Sequence, residues 1–343
     1  MDFSRPITME NQQISILMPF KDTAQYLPDC LSSIRIQTHT NWELLAVDDH
    51  STDGSLEVVR AAAVEDDRIR VFDNPGSGII PALRQAFTRS KGAFVTRMDS
   101  DDLMTPDRLA HMHGQLRDAG PGHLALGQVT YFSDRGISDG YARYERWLNG
   151  LSAHGANFTE LYKECVIPSP CWMVYRQDLM AAGDFRPDRY PEDYDLAFRF
   201  YEAGLSCLPA DRVLLHWRDY DARTSRNSEH YAQNYFLELK LHYFLKLHLR
   251  PTRPLVVWGA GFKGKKIARL LKKEQQAFRW VCDNPNKIGK KIYGVPLEHF
   301  DTLDLLSSPQ SIVTVANQAA QREIQAYLQA RGQSHMQDYF FFC

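Results

Sequence analysis

"RMDSDDLMTP", Arg97 to Pro106, sets three aspartates in four positions directly after the apolar run "GAFVT". Clustered carboxylates repel one another and raise each other's pKa unless a cation or a hydrogen-bond network offsets the charge. The stretch therefore reads either as a solvated acidic turn or as a cation site, and its surroundings decide. "AFVTRMD" has the short apolar character of a buried strand, which puts Asp99–Asp102 at its carboxyl end. Asp99 and Asp101 lie two apart, so an extended backbone would send both side chains to one side. Two such carboxylates suit a hard divalent cation, magnesium or manganese, that also takes phosphate oxygens and water.

Upstream of this strand, apolar runs alternate with helical patterns. "ISILMPF" (Ile14–Phe20), "ELLAVDD" (Glu43–Asp49) and "RIRVFD" read as strands. "AQYLPDCLSSIRIQ" carries Leu27, Leu31 and Ile34 at helical spacing, and "SLEVVRAAAV" follows the cap-rich "STDG". "GIIPALRQAFTRSKG" reads as a helix closed by Gly92, and Thr105 with Pro106 predicts the start of another. Alternating strands and helices with short connections predict a mostly parallel sheet covered on both faces. In such sheets ligands bind at the carboxyl ends of the strands. Asp48–Asp49 and Asp99–Asp102 both fall there, so two distant acidic stretches are expected on one rim.

Composition bounds the alternatives. At 343 residues the chain is long for a single core, and two domains are expected. A net charge of -2 argues against non-specific nucleic-acid binding. Its six cysteines include no C-x-x-C pair, which indicates neither a zinc site nor a disulfide framework. The N-terminal stretch lacks an apolar signal-peptide core, and no apolar run reaches the ~20 residues of a membrane-spanning helix. A cytoplasmic, soluble protein is the expectation. Pro251 and Pro254 in a basic stretch mark a boundary near residue 252.

The ordered set "LMPFKD", "AVDDHSTDGS", "SKGAFVTRMDSDD" and "PEDYDLAFRF" resembles the catalytic domain of glycosyltransferase family 2, with the GT-A fold. The resemblance spans roughly residues 12 to 225. It implies a transferase domain over 12–250 with a mostly parallel sheet; beyond the proline-marked boundary, residues 254–343 are expected to form a small Rossmann-like α/β domain. It also implies an inverting glycosyltransferase that takes a sugar from a nucleotide diphosphate, with UDP expected, and passes it to an acceptor hydroxyl. The acceptor expected from the family is a glycan or lipid-linked glycan in bacterial surface-polysaccharide assembly.

Each residue has a chemical reading and a structural one. Asp49, at a strand end, can accept the N–H of a pyrimidine or purine edge; it could equally cap the following turn, as Asp53 could. In the family the second aspartate of this turn binds the base, which favours the binding role for Asp49 and leaves Asp48 structural. Pro19, Phe20 and Asp22 belong to the loop that lines the base in family members. Arg84, on a helix, could reach the diphosphate or simply be solvated. By the resemblance Asp99 contacts the ribose or the metal, and Asp101 the metal.

Asp193 is the expected general base, since the attacking hydroxyl must lose its proton as it closes on the sugar carbon. The structural alternative is that Glu192 and Asp193 merely complement a helix N-terminus. Asp195 can pair with Arg199 one turn on. In "LLHWRDYDARTSR", His216 could complete the metal shell, and the guanidinium fork of Arg218 suits phosphate.

"PLVVWGAGFKGKKIARLL" carries G-x-G-x-x-G at Gly259, Gly261 and Gly264, with Asp283 19 residues further on. A strand before and a helix after supply the context of a dinucleotide-binding turn. The segment is too short for two full nucleotide-binding halves, and it resembles the small module preceding some sugar acyltransferase domains. Glycines serving only the turn, and a nucleotide-type ligand held by Asp283, Lys263 and Lys265, are both open readings. Leu239–Arg250 mixes strand-like alternation with helix-forming residues; as a helix it would either lie on an anionic membrane surface or pack between domains. The competing functions are a dinucleotide-dependent oxidoreductase run by the C-terminal module, and a non-catalytic sugar-nucleotide-binding protein.

Overall fold

The computed structural model describes residues 12–221 and 235–343. Two compact units divide the chain: Met1–Phe158 with Val166–Arg223, and Thr159–Cys165 with Thr224–Cys343. In the first, a seven-stranded sheet has strands β1 (Ile14–Phe20), β2 (Trp42–Asp48), β3 (Ile69–Asp73), β4 (Phe94–Arg97), β6 (His123–Leu126), β8 (Trp172–Tyr175) and β9 (Ser206–Cys207). Their order is β3-β2-β1-β4-β8-β6-β9. The first four are mutually parallel, and β8 runs antiparallel to both β4 and β6. β1 and β2 are buried at every position, as expected of strands covered on both faces.

Helix α1 (Leu27–Arg35) buries Leu27, Cys30, Leu31 and Ile34, the face its spacing predicts. Helices α2 (Ser55–Glu65) and α3 (Ile79–Arg89) complete the β-α alternation. Gly92 does not close α3, which ends at Arg89 with an extended Ser90 cap. A Cβ on Gly92 would lie 2.6 Å from the Gln13 carbonyl, so that glycine lets two backbones meet beside β1. The helix expected from Thr105 begins later, as α4 (Arg108–Ala119) behind Asp107. A second sheet joins β5 (Leu103–Met104), β7 (Gln128–Phe132) and β10 (Val213–Arg218) in the order β5-β10-β7. Helix α5 (Asp139–Ala153) packs on β7, α6 (Arg176–Ala181) follows β8, and α7 (Glu192–Glu202) precedes β9.

The second unit contains α8 (Tyr235–Leu247), so the boundary expected near residue 252 moves to the other side of that helix. Its cause is packing: the Phe244 ring lies 5.0 Å from Phe340, and Tyr162 stacks on Phe342 at 5.2 Å. The buried Lys240 ammonium donates to the Lys163 carbonyl at 2.8 Å. Leu237, Leu239, Leu241 and Tyr243 are also buried, so these side chains of α8 pack inside the protein. Among the described residues no helix is long and apolar enough to cross one.

Strands β11 (Leu255–Trp258), β12 (Arg279–Cys282), β14 (Val295–His299), β15 (Gln310–Val313) and β16 (Tyr339–Phe341) form a parallel sheet ordered β14-β12-β11-β15-β16. Short β13 (Lys291–Ile292) adds antiparallel to β14. Helix α9 (Phe262–Lys273) links β11 to β12, and α10 (Gln318–Gln329) links β15 to β16. This is the doubly wound order, with its switch point between β11 and β15.

The three glycines of the turn after β11 are not equivalent. Gly259 adopts φ 114, and a Cβ on Gly264 would sit 2.0 Å from the Gly259 carbonyl oxygen. That oxygen already accepts the Trp280 indole N–H at 2.8 Å. A Cβ on Gly261, the N-cap of α9, would meet nothing within 4 Å. Gly264→Ala is therefore expected to unfold or strongly destabilise this unit, because backbone cannot yield as a side-chain tip can, whereas Gly261→Ala leaves its melting temperature nearly unchanged. Thermal melts of the two variants check this; equal melting would mean that the turn is looser than its packing.

Candidate active site at the carboxyl edge of the sheet

The parallel order β2-β1-β4 brings the ends of β2 and β4 to one edge of the sheet. Asp49 follows β2, and its backbone N–H donates to the Phe20 carbonyl at 2.8 Å. Its carboxylate is held on one side: Oδ1 accepts from Asn74 Nδ2 at 2.6 Å and from the Gly78 N–H at 2.9 Å. Oδ2 faces the exposed Lys21 ammonium at 3.6 Å. Asp48 accepts the Ser51 N–H at 3.1 Å, the structural role its position predicts. Asp53 pins the turn through Ser55 and the Ala24 N–H, and these hydrogen bonds hold its carboxyl below the usual range against the opposing effect of burial.

The residues expected around the donor nucleotide are placed as follows. Pro19 and Phe20 are the last residues of β1 rather than loop, and Phe20 is part of the hydrophobic core. Asp22 is exposed, but its Oδ1 accepts the Thr52 N–H at 2.8 Å, which ties two loops together. Arg84 spends its donors on the stretch before α7: the Phe185 and Arg186 carbonyls and Asp188 at 2.7 Å. It braces that loop instead of pointing free at the sheet edge.

The aspartate stretch is a turn. β4 ends at Arg97, and the Asp102 N–H donates back to the Asp99 carbonyl at 3.3 Å. Strand alternation therefore does not orient Asp99 and Asp101; the turn and its partners do. Asp99 Oδ1 accepts from Arg97 Nε at 2.8 Å, Asp101 Oδ2 from the Tyr220 hydroxyl at 2.9 Å, and buried Asp102 Oδ1 from the Arg218 N–H at 2.8 Å. The Arg218 guanidinium donates to the Asp101 carbonyl and lies between the Tyr26 and Phe132 rings, 4.7 and 4.5 Å from their centres. Its Nε thus braces the acidic turn, while Nη2 makes no hydrogen bond among the described residues.

Asp99 and Asp101 are the hard oxygen donors that magnesium or manganese accepts. Among the described residues, however, no three His, Cys, Asp or Glu side chains gather as a metal cage. His216, in β10 opposite Leu103, is not brought into a third ligand position with them. Asp99 and Asp101 are the residues of this turn that would hold such a cation.

Helix α7 delivers the acidic pair. Asp193 is half-buried, and its Oδ1 accepts the Tyr194 N–H at 2.8 Å. Burial, then the neighbouring Glu192 charge, pushes its carboxyl up to about 7, against the opposing pull of Arg97. It lines a small recess together with Arg97, Ser169, Trp172 and Glu192. Asp195 pairs with Arg199 at 2.7 Å, as the i, i+4 spacing predicts. The sequence pattern assigns no site role to Arg97, Asn74, Lys21, Glu192 or Tyr220. Arg97 and Glu192 stand inside the quoted motifs, beside the aspartates that draw attention.

The sequence profile described as glycosyl transferase family 2 matches residues 15–182. The chain carries a glycosyl transferase family 2 domain. This glycosyltransferase domain is similar to GlyG of Streptococcus pneumoniae, a glycosyltransferase by name, at 34% identity over 32% of this chain and 36% of that protein. EpsE of Bacillus subtilis, also named as a glycosyltransferase, is 28% identical over 69% of this chain and 84% of its own length. The fold matches that of Staphylococcus aureus TarS residues 1–349, solved in complex with UDP-GlcNAc, with a TM-score of 0.53 at 17% identity, covering 76% of this chain and 72% of that one. The glycosyltransferase GT-A architecture is thereby established for the family 2 domain.

The second candidate site is dispersed over the C-terminal unit's turn. Gly259 and Gly261 lie between β11 and α9, Gly264 lies in the first turn of α9, and Asp283 is exposed immediately after β12. Lys287 donates to the Ala260 carbonyl at 3.0 Å, closing part of the turn with the chain's own cation.

Proposed function

We propose that the chain transfers a sugar, with inversion, from a UDP-linked donor to an acceptor hydroxyl of a glycan or lipid-linked glycan. The observation that carries this reading is the convergence of three acidic motifs at the sheet's carboxyl edge, two of them on parallel strands separated by β1. Asp49, held through Oδ1, offers Oδ2 to the imide N–H of uracil, with Lys21 near enough to meet a base carbonyl. Asp99 and Asp101 would hold a divalent cation, and Arg218 with Tyr220 keeps their turn in shape. The cation supplies Lewis-acid stabilisation of the departing diphosphate. Asp193 takes the proton from the acceptor hydroxyl, a role suited to a carboxyl whose pKa lies near neutrality. One in-line displacement then inverts the anomeric centre. Assembly of a bacterial surface glycan at the inner face of the membrane is the setting that the family resemblance supports.

The C-terminal unit is assigned no catalytic use of NAD in this reading. Gly259 and Gly264 are accounted for by backbone packing alone. Titrating the full chain with UDP plus manganese, and separately with NAD, tests the assignment. UDP is expected to bind and NAD to show no saturable heat. Tight NAD binding without UDP binding would transfer the function to the oxidoreductase reading.

A further inference from the structure

Arg97 stands at the end of the central strand β4, with a side chain only 6% exposed. Its Nε donates to Asp99 Oδ1 at 2.8 Å, and its Nη1 to Glu192 Oε1 at 3.0 Å. The Glu192 side chain is as deeply buried as the guanidinium. These two partners are 93 positions apart in the chain, and they open different motifs: Asp99 the acidic turn, Glu192 the first turn of α7. A guanidinium is planar, and its donors point in fixed directions. Two carboxylates on two of its edges are therefore fixed in mutual angle and separation, which a flexible ammonium cannot do. The strand that carries Arg97 is itself clamped between β1 and β8.

We propose that Arg97 is a positioning residue for sugar transfer: its guanidinium is a rigid bracket that sets the base-bearing helix α7 against the donor-holding turn. The inference rests on the proposed transfer reaction for its consequence, though not for its geometry. Asp193 follows Glu192 directly, so the placement of its carboxylate is fixed through Glu192 by Arg97. Effective catalysis by a positioned base depends on such placement, and a displacement of about 1 Å can cost on the order of 100-fold in rate. Breaking a buried ion pair outright is also destabilising. The informative variants therefore keep charge or shape.

The test compares wild type with Arg97→Lys, Glu192→Ala and Glu192→Gln in the full chain. Amide hydrogen exchange is followed at residues 99–102 and 192–196, and UDP release is followed from UDP-glucose, UDP-galactose and UDP-GlcNAc with manganese. Arg97→Lys should speed exchange in both segments together and lower kcat by about tenfold or more. Glu192→Ala should loosen 192–196 and lower kcat; Glu192→Gln, which keeps a carbonyl acceptor, should recover most of both losses. Unchanged exchange in Arg97→Lys, or a glutamine variant no better than alanine, overturns the bracket. If Arg97→Lys does not fold, the alanine–glutamine comparison decides alone. If wild type releases UDP from none of the three donors, the transfer reading fails, and the exchange measurements still decide whether Arg97 couples the two segments.

Discussion

Asp193→Asn should bind UDP with manganese about as tightly as wild type while sugar transfer falls by ~100-fold or more, the scale of a lost general base. The amide keeps the shape and can still accept the Tyr194 N–H, so the start of α7 is preserved and the loss is chemical. The pH dependence of the wild type carries the same information. The carboxyl sits at about 7, raised first by burial and next by Glu192. Only its ionised form can take a proton, so kcat/KM for the acceptor should rise with pH through about 7 and level off above. Glu192→Gln removes the like charge and should move that rise to lower pH. Steady-state rates across pH 5.5–9 at about constant ionic strength check both statements, since screening would otherwise confound them. A flat profile, or normal turnover in Asp193→Asn, would leave Asp193 as a helix-terminal carboxylate and nothing more.

Metal removal should weaken UDP binding by about tenfold or more, the scale of a single lost charge-assisted contact. Without a cation the diphosphate meets Asp99 and Asp101 as like charges. Arg97 is engaged with Asp99 and Glu192, and Arg218 donates through Nε to the Asp101 carbonyl. Calorimetric titration of UDP in manganese and in chelator measures the effect, and Asp101→Asn should abolish most of the difference. Equal affinity in both conditions would show that the acidic turn is structural.

Much of this architecture is legible in the sequence because strands covered on both faces announce themselves as short apolar runs. β1 falls on Ile14–Phe20 as read, and β2 is offset by one residue. The common edge of Asp49 and Asp99 follows from parallel topology alone. Single side chains are less legible. Gly92 looks like a helix stop, but its lack of a side chain serves a contact with Gln13 and Ser15, far off in sequence. Arg84, His216 and Arg218 can be read only by chemical type, which says what a group can bind but not whether the fold has already bound it. Arg84 is taken by the Phe185–Asp188 stretch, and Arg218 by the acidic turn. The compact units part on the other side of α8 from the two prolines. Two prolines mark a break in the pattern, while the partners of α8, Phe340 and Phe342, lie at the other end of the unit.

The central claim is that the carboxyl edge of the first sheet is a working sugar-transfer site for a UDP-linked donor. Its most direct test is release of UDP from UDP-glucose, UDP-galactose and UDP-GlcNAc by the full chain with manganese, followed by phosphorus NMR. The account predicts UDP appearing from at least one donor in the wild type, suppressed by chelator, by Asp101→Asn and by Asp193→Asn. UDP release that persists in both variants, or its absence with every donor, would contradict it.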